Sequence, residues 1–202
     1  MSYDLYLVRI PQGADPIAYI QHVQEQEEAE GQVNPGDPIP EKEAGKQAIA
    51  RELIAVDSSL TIFPFDYAEI ARFTETSESE ARLRYRHLEL NGPENGPGIQ
   101  ITLYDDTASV TLPYWHGAEA ARQAWRKLWS YLHVLEREGG FNTYDPQLEQ
   151  ILDLSAGVER VLDLYGYGVE CTQETAAGYA SGRVVHSRAH TVKKPWWRFW
   201  ER

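Results

Sequence analysis

The stretch Ile99-Gln100-Ile101-Thr102-Leu103-Tyr104-Asp105-Asp106-Thr107-Ala108-Ser109-Val110-Thr111-Leu112-Pro113-Tyr114 decides the fold. Ile99, Ile101 and Leu103 alternate with polar partners, Asp105-Asp106 supplies a turn, and Ala108, Val110 and Leu112 resume the alternation. A period of two sorts side chains onto the two faces of a strand, so 99–114 reads as a β-hairpin with one apolar face. The period then changes. Ala121, Trp125, Leu128, Leu132 and Leu135 follow a four-three-four-three spacing, the stripe of a helix from about His116 to Glu138. Gly139-Gly140 stops it by permitting a left-handed C-cap. A hairpin face and a helix stripe each need an apolar partner, and the chain supplies them in succession.

The flanks extend this pattern. Tyr3, Leu5 and Leu7 share one face of an opening strand that belongs inside the sheet. Asp15-Pro16 is an N-cap and first helical position, followed by Ile17, Ile20 and Val23 and an acidic run to Glu30. A second helix carries Ala48 or Ile49, Leu53 and Val56, and Leu60 to Phe63 reads as a short strand or extended link. Asp66 and Glu69 are spaced as a capping box. Arg82 to Leu90 alternates and reads as a strand, with Leu83, Tyr85 and His87 on one face and Arg82, Arg84 and Arg86 on the other. Phe141 to Tyr144 reads as a strand, Asp145-Pro146-Gln147 as a turn, and Ser155 as the cap of a helix bearing Val158, Val161, Leu162 and Tyr165.

The expected class is therefore α+β: a mostly antiparallel sheet with a central hairpin (about 99–114), covered by a long helix (about 116–138) and shorter helices. The expected organisation is a single domain over 1–172 with an exposed Gly/Pro loop at 31–40. An extended polar segment and a basic-aromatic tail follow over 173–202. Of the 202 residues 42% are hydrophobic, enough for a sizeable core. The 31 acidic and 19 basic side chains give a net charge of −12, which opposes contact with a phosphate backbone and excludes a general nucleic-acid binder. No apolar run is long enough to cross a bilayer, and the opening Met-Ser-Tyr-Asp-Leu-Tyr-Leu-Val-Arg-Ile lacks the pattern of a signal peptide, so a cytoplasmic location is expected. The lone Cys171 excludes an internal disulfide and any multi-cysteine metal site, in keeping with a reducing compartment.

Three pieces carry a resemblance: the opening Met-Ser-Tyr-Asp-Leu-Tyr-Leu, Leu112-Pro113-Tyr114-Trp115-His116, and Arg137-Glu138-Gly139-Gly140-Phe141-Asn142-Thr143-Tyr144-Asp145-Pro146-Gln147. Together they resemble bacterial α+β proteins that have no assigned activity. The resemblance implies a bacterial, soluble α+β domain and carries over no catalytic residue.

Several residue groups are candidates for chemistry. Asp105 and Asp106 are adjacent carboxylates that either ligate a hard cation or simply make the hairpin turn; turn chemistry explains them without a second acidic cluster. Asp145 and Asp153 belong either to a general acid or base at a cleft edge or to turns. His116 places an imidazole, a common acid–base group, at a strand-to-helix junction, yet no nucleophile elbow accompanies it. Arg82, Arg84 and Arg86 are either an anion pocket or a solvated outer face. Trp125 and Trp129 stack a planar ligand or, at helical spacing, pack in the core. His186 and His190 have metal-face spacing but lack an acidic or cysteine partner, so no metal and no cofactor is expected.

The tail is the most unusual feature. From Arg183 onward six basic residues stand against one glutamate, a local net of +5, so the whole-chain charge of −12 leaves −17 on the first 182 residues. Trp196, Trp197, Phe199 and Trp200 are costly to leave in water, and Lys193, Lys194 and Arg198 surround them with positive charge. Docking on the acidic body of the same or another copy, capture by a partner protein, and weak contact with a membrane surface are the three readings. The leading function is a non-enzymatic protein-interaction module, adaptor-like or immunity-like, acting on a partner or on itself through the tail. The alternative is a small hydrolase or transferase that uses His116 with Asp105, Asp106 or Asp145.

Overall fold

A computed structural model describes residues 2–30, 37–93, 95–166 and 169. In chain order they form β1 (Ser2–Val8), α1 (Pro16–Glu30), α2 (Pro40–Val56), β2 (Thr61–Ile62), α3 (Tyr67–Thr74) and α4 (Glu78–Arg84). Then come β3 (Leu88–Asn91), β4 (Gln100–Leu103), β5 (Thr107–Pro113), α5 (Ala118–Gly139), β6 (Asn142–Asp145) and β7 (Gln150–Ile151). A 3-10 turn at Leu154–Ala156 leads to helical residues 159–166. The strands form one antiparallel sheet in the order β2-β3-β4-β5-β1-β6-β7. This is the α+β class expected from the sequence.

The hairpin lies mid-sheet as its alternation requires. Ile101 pairs with Val110 and Leu103 with Ala108, and all four side chains are buried. The opening strand is interior too, between β5 and β6, with Leu5 opposite Val110 and Leu7 opposite Ala108. Tyr3, Leu5 and Leu7 join the hairpin's apolar residues in one core with Ala121, Trp125, Leu128, Leu132 and Leu135 of α5 and Ile49 and Leu53 of α2. Gly140 closes α5 at φ +64, where its N–H reaches the carbonyls of Glu136 and Leu135. A side chain other than glycine rarely adopts that conformation.

Among the described residues, the other sheet face is covered only in part. Under α1, Tyr6 and Val8 meet Ile20 and Tyr144 in a second, smaller core. Asp15 caps that helix as its sequence promised, accepting from the Ala18 N–H at 2.8 Å. Over β3, β4 and β5 the same face instead carries Glu89, Gln100, Thr102, Ser109 and Thr111.

Two local expectations are corrected. Arg82 to Leu90 is not one strand: Glu78–Arg84 is helical, and only Leu88–Asn91 pairs in the sheet. Ser77 accepts from the Glu80 N–H, Glu78 and Glu80 lie in the first turn, and Arg82 and Arg84 in the last, an order that suits the helix dipole. Arg82 also reaches back one turn to Glu78 at 2.7 Å. Arg82, Arg84 and Arg86 therefore do not share a strand face. Ser155 is not a helix cap either; it sits inside the 3-10 turn, and Asp153 accepts from its N–H. Of the stretch 31–40 expected to be an exposed Gly/Pro loop, residues 31–36 lie outside the described residues and Pro40 opens α2; the segment 170–202, with Cys171, His186, His190 and the tail, also lies outside them.

Leu132 is fully buried between helix and sheet. Leu132→Ala should lower unfolding free energy by about 2–5 kcal/mol. Urea denaturation checks this, and an unchanged midpoint would contradict the packing.

Candidate functional site

An ion cluster joins three distant parts of the chain. Lys46 on α2 is nearly fully buried and donates to Asp105 Oδ1 at 2.9 Å, Glu43 Oε1 at 2.8 Å and the Arg86 carbonyl at 3.0 Å. Arg86 donates to Asp105 Oδ2 at 2.6 Å and Glu43 Oε1 at 3.2 Å. Burial alone would raise the Asp105 carboxyl, but hydrogen bonds from Lys46 and Arg86 and their charges hold it below its ordinary value. Arg9 donates to the Asp105 carbonyl at 2.8 Å, and Lys42 holds Asp106 outside the cluster at 2.6 Å. The turn between β4 and β5 is thereby tied to α2 and to the entry of β3. Its chemistry is structural: two cations and two carboxylates balance, and each carboxylate already accepts from nitrogen.

The next residue faces the other way. Arg86 reaches into the cluster, whereas His87 lines the open sheet face. There a ring array assembles: Phe63 edge-on to Phe65 at 5.2 Å, Phe65 edge-on to His87 at 4.8 Å, and His87 tilted on Tyr104 at 5.2 Å. Burial, and secondarily the Lys46 charge, push the His87 imidazole down to about 4, so it is neutral at neutral pH. Phe63 continues the β2–β3 ladder by donating its N–H to the Glu89 carbonyl at 2.8 Å. Asp66 caps α3 by accepting from the Glu69 N–H, which stands that helix beside the array.

These elements enclose a groove of about 690 Å³ between α3 and the β3-β4-β5 face. Phe63, Phe65, Phe73, Tyr85 and Tyr104 supply apolar wall, while Gln100, Thr102, Ser109 and Thr111 supply an uncharged polar floor. Asp66, Glu69 and Glu89 add carboxylates, and no lysine or arginine lines the groove among the described residues. Glu69 has a long contact with Arg72 at 3.5 Å, both well exposed, which screens its charge weakly. Asp4 adds a further carboxylate at one end, where it accepts from Thr111 at 2.8 Å. Phe73 is 84% exposed and Phe63 45%, so the wall presents large apolar surface to solvent.

The sequence candidates are dispersed over the molecule. Asp105 and Asp106 do form the hairpin turn, and they diverge, one into the ion cluster and one toward Lys42. His116 lies beyond the far end of β5, a strand roughly 23 Å long. Its Nε2 donates to the Pro97 carbonyl at 2.6 Å. Asp145 is fully buried and accepts from the Tyr3 hydroxyl at 2.5 Å and from the Gln147 N–H at 2.8 Å. The geometry thus brings His116 together with none of these carboxylates. Trp125 is core, and Trp129 donates to the Leu154 carbonyl at 3.1 Å. Arg82 pairs locally with Glu78, and of the three arginines Arg86 alone enters the ion cluster. Among the described residues no three His, Cys, Asp or Glu side chains are grouped to hold a metal ion, and no helix is long and apolar enough to cross a membrane.

Sequence reasoning missed the groove. Its signal was the polar side of the hairpin, where Gln100, Thr102, Ser109 and Thr111 carry no charge, unlike an ordinary solvated face. A second signal was Phe63-Pro64-Phe65-Asp66-Tyr67, with aromatics at every other position. No family model, curated protein or solved structure matches the chain.

Asp105→Asn should destabilise by about 3–5 kcal/mol because Lys46 and Arg86 would keep their buried charges without a full counter-charge. The folded carboxyl is depressed, so its contribution is complete above the ordinary carboxylate range near pH ~4 and is lost as pH falls through the lower folded value. Urea melts from neutral to strongly acid pH should show wild type and variant converging on acidification. A constant gap would contradict the linkage.

Proposed function

We propose that the protein is a non-enzymatic interaction module whose groove binds a protein segment rich in both aromatic and cationic side chains. The observation that carries this reading is the lining: five aromatic wall residues and three carboxylates, without a described lysine or arginine. Rings of the bound segment would pack on Phe63, Phe65 and Tyr104, where burial of apolar area supplies most of the affinity. Its cations would face Asp66, Glu69 and Glu89, which set register and approach more than strength. A neutral His87 leaves the acidic character of the groove intact at neutral pH. The excess negative charge of the body steers the same class of ligand over longer range.

The reading includes a bacterial, cytoplasmic setting and association, with a partner or another copy, through the basic-aromatic tail. The dispersed positions of His116, Asp105, Asp106 and Asp145 favour binding over the hydrolase or transferase alternative.

Fluorescence anisotropy tests the groove with two labelled ten-residue peptides, one of mixed Lys and Trp and one of mixed Glu and Trp. The full chain should bind the first and not the second. Glu69→Lys combined with Glu89→Lys should weaken binding about tenfold, an effect that shrinks as salt rises. Equal binding of both peptides, or indifference to the two substitutions, would overturn the reading.

A further inference from the structure

We infer that the groove's resident occupant is the chain's own segment Lys193-Lys194-Pro195-Trp196-Trp197-Arg198-Phe199-Trp200, so that the protein occludes its own binding surface. This rests on the reading of the groove as a receptor for cationic, aromatic peptide.

Three observations select this occupant. The first is chemical complementarity. The segment offers four aromatics and three cations within eight residues, and the groove offers aromatic walls, carboxylates and no described cation among its lining. The second is position. The Tyr165 hydroxyl donates to the Pro113 carbonyl, so the last described helical stretch is fixed at the end of β5. Thr111, which lines the groove on the sheet face opposite Tyr165, is two residues away along that strand, about 7 Å, so the chain has to pass only around the end of the sheet. The third is reach. Between Val169 and Lys193 lie 23 residues, a length that spans up to about 76 Å when fully extended, far more than the path needs.

Tethering then decides between occupants. A segment on a linker of this length has an effective concentration at its own groove on the order of millimolar. A second copy at micromolar concentration cannot match that. Against an intrinsic peptide affinity near ~100 µM, the tether closes the groove by about tenfold. A partner segment of the same chemistry must therefore displace the tail, and binding and tail release become one coupled equilibrium. The tail's aromatic rings are withdrawn from water in the resting molecule and delivered when a partner arrives.

The test uses full-length chains and a fluorescein-labelled peptide of sequence Lys-Lys-Pro-Trp-Trp-Arg-Phe-Trp-Glu-Arg, that of residues 193–202. One variant carries Trp196→Ala, Trp197→Ala and Trp200→Ala. A second keeps the aromatics and carries Lys193→Glu, Lys194→Glu and Arg198→Glu. Both should bind the peptide about tenfold more tightly than wild type, and adding Phe65→Ala or Glu89→Lys to either should remove the gain. Light scattering should find wild type and both variants at the same mass. Equal peptide affinity for wild type and variants overturns self-occlusion while leaving the groove reading in place. Absence of binding to all of them overturns both. A wild-type dimer that both variants reduce to monomer assigns the tail to a second copy and overturns occlusion within one chain. Wild-type binding to anionic lipid vesicles that the tail variants lose, with unchanged peptide affinity, assigns it to a membrane and likewise overturns the inference.

Discussion

The carboxylate of Asp105 is the point on which the architecture turns. It is buried at the tip of the central hairpin and takes one hydrogen bond from Lys46 on α2 and another from Arg86 at the entry of β3. Hydrophobic packing is nondirectional and would let a helix slide along the sheet by a residue or more. Buried ions do not allow that, because a displaced partner leaves an uncompensated charge at a cost of several kcal/mol. The cluster therefore fixes the height of α2, the register of the hairpin and the direction of the chain through 86–88. With Arg86 held in the cluster, its neighbour His87 meets Tyr104 and Phe65 on the other face.

The two faces of the sheet are finished differently. Beneath α2 and α5 the side chains of β1, β4 and β5 are apolar, with Tyr3 the one aromatic among them, and the helix stripe is continuous, so closure is complete. On the opposite face α1 covers the end near β6 and Tyr144, and it does so with a few apolar contacts around Ile20. Over β3, β4 and β5 the floor is hydroxyl and amide, which neither drives burial nor forms a charged, fully solvated surface. Among the described residues, aromatic walls beside such a floor keep large apolar surface exposed, and the carboxylates around them would favour a cationic occupant. That combination of walls, floor and carboxylates is what the proposed binding role rests on.

Much of this was legible in the sequence where a long period repeats. The hairpin and the stripe from Ala121 to Leu135 announce themselves because five or six positions agree on one face, and Gly139-Gly140 end the helix in the expected manner. The capping pairs Asp15 with Ala18 and Asp66 with Glu69 were equally readable, since a cap is local. Arg82 to His87 was misread because a seven-residue helix offers too few turns to betray its period, and the charged ends that identify it are a dipole effect and not a pattern of hydropathy. The sequence marks Asp105 as a turn residue and carries no local sign of its ion partners. Its partners lie 59 and 19 residues away in sequence, and nothing local marks Lys46 as buried. The groove is of the same kind: Phe65 and Tyr104 meet His87 through tertiary contact that no spacing encodes.

The proposed function requires that the β3-β4-β5 face beside α3 receive a cationic, aromatic segment. The most direct measurement is a nitrogen–proton correlation spectrum of the isotopically labelled full chain during titration with a mixed Lys and Trp peptide. Amide shifts should concentrate in 63–74, 85–89, 100–104 and 109–111, with the α5 face unmoved. Shifts spread evenly over the acidic surface, or gathered on α5, would contradict it.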